Sequence, residues 1–209
     1  TILGIREACQ ALKLPVVSGN VSFYNETQGG QEVYPTPVIG MAGLIDDVQY
    51  ICTHWFKEAG DIIVLLGETY PELGGSEYLA VCHGLEQGRP PKVRWDRERA
   101  VQEVVLRAIR RGYLASAHDC AEGGLAIALA EGCFSSQEAK LGLQVVMKDQ
   151  GLRLDALLFS ESQSRIIVSL KEKDLMRLKR LARKYSLPMQ VLGRVIPERF
   201  CIEIEGRGK

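Results

Sequence analysis

The chain has 209 residues, with 26 basic and 26 acidic side chains, so its formal net charge is zero. That balance argues against a general nucleic-acid or membrane-surface binder, which carries a basic excess. Apolar residues make up 46% and charged residues 25%, values of a globular rather than a disordered chain, and no apolar run approaches the roughly 18 residues of a membrane span.

Ile2 to Lys13 predicts an amphipathic helix, since Ile2, Ile5, Ala8, Cys9 and Leu12 recur at helical spacing; Pro15 ends it. Val16-Val17 predicts a short strand, and Val38 to Val48 another, with a turn-rich Ser18-Gly19-Asn20 and a polar loop holding Gly29 and Gly30 between them. One helix and a few strands make half a sheet layer, with few ways to cover its apolar face alone. Residues 1–58 are therefore expected to be the end of a larger domain. Thr1, in place of a start methionine, adds the expectation that the sequence is a piece of a longer chain.

A second unit is expected over 59–209. Ile62 to Leu66 is continuously apolar, the pattern of a buried strand. Leu73-Gly74-Gly75-Ser76-Glu77 leads into a short helix to Cys82. Asp96 is placed as the cap of a helix over Arg97 to Arg111, stopped by Gly112. A strand over Ala115 to His118, a helix over Gly123 to Gly132, a strand over Leu141 to Met147 and a helix over Leu152 to Leu158 follow. A strand over Arg165 to Leu170, a helix over Lys171 to Tyr185, and closing strands Val191 to Val195 and Phe200 to Ile204 complete the chain. This order predicts an α/β (α+β) domain. Residues 60–205 are expected to hold every apolar face that this domain needs.

Four segments could carry chemistry. In Ser18-Gly19-Asn20-Val21-Ser22, glycine lets a ligand approach the backbone. The Asn20 amide oxygen suits magnesium, and Ser22 can donate to phosphate or sugar oxygens. The same residues also make an ordinary polar turn. Gly123-Gly124 and Gly74-Gly75 each precede a helix, where free backbone N–H groups attract anions; equally, they could serve close packing and capping. Ser160-Glu161-Ser162-Gln163-Ser164-Arg165 is a polar knot that could bind a small substrate or simply form a loop. Lys171 to Lys184 holds seven basic residues against two acidic ones, read as a solvated helix face. Cysteines 9, 52, 82, 120, 133 and 201 show no C-x-x-C spacing and are read as free thiols in a reducing cytoplasm. No Ser-His-Asp or Cys-His set has local support, which argues against covalent catalysis.

Taken in order, these segments resemble one family closely. Pro15-Val16-Val17-Ser18-Gly19-Asn20-Val21-Ser22-Phe23-Tyr24-Asn25-Glu26, Pro35-Thr36-Pro37-Val38-Ile39-Gly40-Met41-Ala42-Gly43, Leu73-Gly74-Gly75-Ser76-Glu77, His118-Asp119 with Glu122-Gly123-Gly124-Leu125-Ala126, and Ser160-Glu161-Ser162-Gln163 resemble phosphoribosylformylglycinamidine synthase, the ATP-driven fourth step of purine biosynthesis. The resemblance implies that 1–58 ends an ATP-binding-type domain. It implies that 59–209 is a complete C-terminal α/β domain of the aminoimidazole ribonucleotide synthetase-like superfamily. By resemblance Gly19 contacts ATP, Asn20 ligates Mg2+ and Ser22 contacts the ribonucleotide substrate. The helix starts at Gly74, Gly75, Gly123 and Gly124 are candidate anion sites from the residues alone, and the resemblance adds no anion role to the start at Gly123-Gly124, where Cys120-Ala121 departs from the family pattern. The family's catalytic histidines belong to its first half, so no catalytic residue is expected here, and the isolated chain is expected to be inactive. The implied partners are that N-terminal half, a glutaminase subunit and a small accessory subunit, in the cytoplasm, with no nucleic acid or membrane. The alternatives are a non-catalytic scaffold half that binds subunits, or a related enzyme such as aminoimidazole ribonucleotide synthetase or selenophosphate synthetase.

Overall fold

Five consecutive apolar residues, Ile62–Leu66, form a strand (β1) that is buried at every position. Side chains alternate across a strand, so both faces of β1 need a cover. In the computed structural model, which describes residues 1–21, 26–34, 36–134 and 140–206, helices supply it on each side. The remaining strands are β2 (Ser116–Asp119), β3 (Leu141–Met147), β4 (Ile166–Leu170), β5 (Met189–Pro197) and β6 (Phe200–Ile204). They form one sheet in the order β2-β4-β1-β5-β3-β6, antiparallel except for the parallel β3–β6 pair.

The helices are α1 (Ile2–Leu12), α2 (Glu77–His83), α3 (Trp95–Arg110), α4 (Gly124–Phe134), α5 (Leu154–Phe159) and α6 (Glu172–Lys184). Ile63 and Leu65 pack into one core with Leu125, Leu129 and Cys133 of α4 and Leu157 of α5. Ile62, Val64 and Leu66 pack into the other with Val101, Val104 and Ala108 of α3 and Leu178 and Leu181 of α6. Among the described residues, no helix is long and apolar enough to cross a membrane.

The expected elements of this unit are present within a few residues, with one change of role. Trp95 already lies in α3, so Asp96 sits inside the first turn and pairs with Arg99 at 2.5 Å. Arg94 takes the cap position and makes no side-chain cap bond. Gly112 ends the helix in the left-handed region, φ 65°. The apolar faces extend upstream of residue 60. Phe56 is 2% exposed, belongs to the α4 core, and donates its N–H to Gly132 O at 2.8 Å.

Contacts divide the chain into two compact units, Thr1–Ile45 and Asp46–Lys209. In the first, α1 buries none of its side chains, and Lys13 caps it in the left-handed region at φ 57°. The strands expected at Val16-Val17 and Val38–Val48 are not formed; the described residues there are coil, ending in a single 3-10 turn at Val48–Tyr50. Val17, Val38 and Leu44 are exposed. β-propensity cannot make a strand without a neighbour to share the ladder, and among the described residues none pairs with these runs.

Strand β5 must bulge to follow β1: Ile63 faces Gly193, yet Val64 faces Val191. At Gly193 a methyl group would lie 2.0 Å from Gln144 O on β3. Gly193→Ala is therefore expected to lower the unfolding free energy by about 1–3 kcal/mol, the range for overpacking. A urea midpoint equal to that of the parent would refute this account of the bulge.

Candidate functional site

Three of the four polar segments meet at one end of the sheet. There β1 runs out, β2 ends opposite the start of β4 (Asp119 faces Ile166), and α2 and α4 begin. At this junction Oε1 of Glu161 accepts from Glu77 N at 2.9 Å and from Gly123 N at 2.8 Å. One carboxylate thus satisfies backbone donors at the starts of two helices, where the partial positive charge of the peptide dipoles favours an anion. Ser76 adds a side-chain cap, accepting from Leu79 N at 3.3 Å.

The rest of the Ser160–Arg165 knot is also spent inside the protein. Ser160 Oγ accepts from Glu72 N at 3.1 Å, and Ser162 Oγ accepts from Tyr70 N at 3.0 Å. Arg165 is 2% exposed and donates to Thr69 Oγ1, Ser162 O and Ser160 O. Burial pulls its guanidinium pKa down, while the nearby Cys120, Glu72 and Glu161 act against that shift. A buried cation surrounded by acceptors fixes the loop that follows β1.

Beside this junction lies an open cleft of about 390 Å³ lined by Cys52, Thr53, His54, Trp55, His118 and Glu131, among others. His118 is held between two carboxylates, Asp119 at 3.6 Å from Nδ1 and Glu131 at 2.8 Å from Nε2. Asp119 and Glu131 raise the His118 pKa above its ordinary value against partial burial; in return His118 lowers that of Asp119. The His54 ring lies 5.1 Å from that of His118. This arrangement can hold and exchange a proton. It has no activated thiol, because burial raises the Cys52 pKa. Among the described residues no group of three His, Cys, Asp or Glu could hold a metal ion.

Gly19 and Asn20 lie in the first unit, exposed and in coil, and a methyl group on Gly19 would meet nothing within 4 Å. Ser22 lies outside the described residues. Gly74 serves chain packing, and Gly75 sits in the left-handed region at φ 68° with open space around it. A Cβ on Gly74 would lie 2.2 Å from Arg89 O, and Gly75 N donates to Gln87 O. Gly124, at φ 72°, lets Ser160 O come within 2.5 Å of where a Cβ would stand. Beside Gly123 the anion present is the chain's own Glu161. The sequence places Glu161 in a polar knot but does not show that it answers the two helix starts, which lie 84 and 38 residues away, and a 13-residue separation hides the His118–Glu131 pair.

Two outcomes follow from this geometry. Glu161→Ala strands two N–H donors and is expected to cost about 1–3 kcal/mol of stability, whereas Glu161→Gln keeps the accepting oxygen and loses less. Equal urea midpoints for the two variants would refute the shared-acceptor role. For His118, a raised folded pKa means that its stabilising contribution is complete below its unfolded value of about 6.5 and is lost as pH rises through the folded value. Asp119, with its pKa lowered, contributes fully above its unfolded value and loses that contribution as pH falls through the folded one. Glu131→Gln should move the His118 ring titration, read by NMR, downward; an unmoved midpoint would remove Glu131 as a cause.

Comparison with known proteins matches residues 58–203 to the family model for AIR synthase related protein, C-terminal domain. The chain is 48% identical, over 99% of its length, to phosphoribosylformylglycinamidine synthase subunit PurL of Moorella thermoacetica. It is 46% identical, also over 99%, to the same subunit of Thermoanaerobacter sp.. It spans only 27% and 28% of those relatives' lengths. Among solved structures, T. maritima PurL complexed with FGAR superposes with a TM-score of 0.65 at 19% identity, over 76% of this chain and 28% of that one. T. maritima PurL complexed with ATP gives 0.59 at 19% identity, over 78% and 26%. At that identity the likeness is one of fold. With the family model covering residues 58–203, well over half of the chain, this chain belongs to the family of AIR synthase related proteins through its C-terminal domain.

Proposed function

We propose that this chain works as part of a phosphoribosylformylglycinamidine synthase, an ATP-dependent carbon–nitrogen ligase of purine biosynthesis. The observation that carries the reading is the 48% identity to the Moorella PurL subunit over 99% of this chain. The reaction converts formylglycinamide ribonucleotide, ATP and ammonia to the amidine, ADP and phosphate. ATP activates the amide oxygen, and ammonia displaces the phosphate. Residues 1–58 then end an ATP-type domain, and 59–209 form the C-terminal domain. The T. maritima relative occurs in a PurLQS structure, which supports partner subunits for this chain too, a glutaminase and a small accessory subunit in our reading.

Within that reading Gly19 approaches ATP and Ser22 approaches the ribonucleotide. Asn20 offers one amide oxygen toward Mg2+. One oxygen does not hold this ion, which favours octahedral oxygen coordination, and the described residues gather no further ligand set around it. The described residues by themselves do not make a magnesium site. An ion at Asn20 needs ligands from elsewhere in a longer chain. The open space around Gly19 suits backbone approach by a ligand.

The test uses this chain and a longer chain of the relatives' length. The 209 residues alone should form no amidine from formylglycinamide ribonucleotide, ATP and ammonia. In the longer chain, Asn20→Ala should reduce turnover by about 100-fold or more while leaving the melting curve in place, the scale of losing one preorganised electrostatic contact. A variant with normal turnover would remove Asn20 from the site. Turnover by the pure 209-residue chain at the rate of the longer one would overturn the division of labour itself.

A further inference from the structure

Helices α3 and α6 lie side by side on one face of the sheet, and a groove of about 260 Å³ between them is lined by Arg107, Arg111, Tyr113, Arg177, Arg180 and Lys184. Five of these six are cations, on a chain whose net charge is zero. Two of the five are already neutralised: Arg107 by Glu103 at 2.6 Å and Arg177 by Asp174 at 2.7 Å. Aromatic rings flank those two, with Arg177 5.7 Å from the Tyr113 ring centre and Arg107 5.6 Å from that of Tyr185. Arg111, Arg180 and Lys184 have no carboxylate within ion-pair distance among the described residues. Arg111 and Lys184 sit at helix C-termini, whose carbonyls offset about half a charge each, so about two positive charges stay uncompensated in one cleft. Like charges gathered there repel one another, and a multivalent anion relieves that repulsion.

The size of the groove selects the anion. It falls below the roughly 300–1,000 Å³ of pockets that enclose drug-sized ligands, and so is too small for a peptide helix or a whole nucleotide. Guanidinium forks match phosphate oxygens two by two, and a lysine adds a point charge. We propose that the α3–α6 groove is a binding site for a phosphate group carrying two or more negative charges, with Arg111, Arg180 and Lys184 as its ligands. The group could arrive as free pyrophosphate or as the phosphate end of a nucleotide whose base stays outside the groove.

The test titrates the 209-residue chain with pyrophosphate and, separately, with ADP, by calorimetry at two salt concentrations. Parallel titrations use a short polyglutamate peptide and a single-stranded oligonucleotide. We expect saturable binding of pyrophosphate or ADP that weakens with salt. The exposed double variant Arg111→Ser/Arg180→Ser should weaken it by about tenfold per arginine, with an unchanged melting curve. Tighter binding of ADP than of pyrophosphate assigns the group to a nucleotide, and the reverse assigns it to the free anion. Absence of saturable phosphate binding, binding that the double variant leaves intact, or binding only of the peptide or oligonucleotide would each overturn the proposal.

Discussion

Strand β1 has no side that water can reach, and the architecture of the second unit follows from that constraint. Ile63 and Leu65 need α4 and α5, while Ile62, Val64 and Leu66 need α3 and α6. Burying a Val, Leu or Ile side chain is worth about 1.5–3 kcal/mol, so five in a row make this strand costly to expose on either face. Even its first neighbour obeys the constraint. Asp61, fully buried just before the strand, lies 2.8 Å from Lys171 Nζ, and its backbone carbonyl accepts from Val195 N.

Much of this was legible from the sequence because it is local. An apolar run such as Ile62–Leu66, or the inward stripe of Leu175, Leu178 and Leu181, carries its own period. The misreadings come from information that is not local. Val38–Val48 has the composition of a strand but pairs with nothing among the described residues. Asp96 has cap chemistry, yet the helix starts one residue before it because Trp95 already adopts helical geometry. Phe56 lies outside the expected apolar span because nothing near it in sequence announces a contact with Gly132.

The candidate site divides along the same line. The glycines before α2 and α4 were visible, but the anion that answers them is Glu161, which lies 84 residues from Glu77 and 38 from Gly123. Only the fold brings these together. Likewise His54 and His118 are far apart in sequence and acquire a common cleft because the chain after residue 50 runs along the outer side of β2. The junction at this end of the sheet is thus closed upon itself, with serine hydroxyls and a buried guanidinium bonded to the protein's own backbone and side chains. The titratable groups open to solvent lie beside it.

That passage of chain along β2 governs how the domain can be handled in isolation. Ala117 N donates to Thr53 O at 3.1 Å, so the outer edge of the four-residue strand is partly occupied by the chain itself. A gene trimmed to the span of the family model, 58–203, would lose both Thr53 and the Phe56 ring. It would also present Ser116–Asp119 as an uncovered template for a strand from another molecule. Trimmed preparations would then both lose core packing and expose an edge open to intermolecular β-pairing. A domain boundary meant for expression belongs upstream of the 3-10 turn at Val48, not at Glu58.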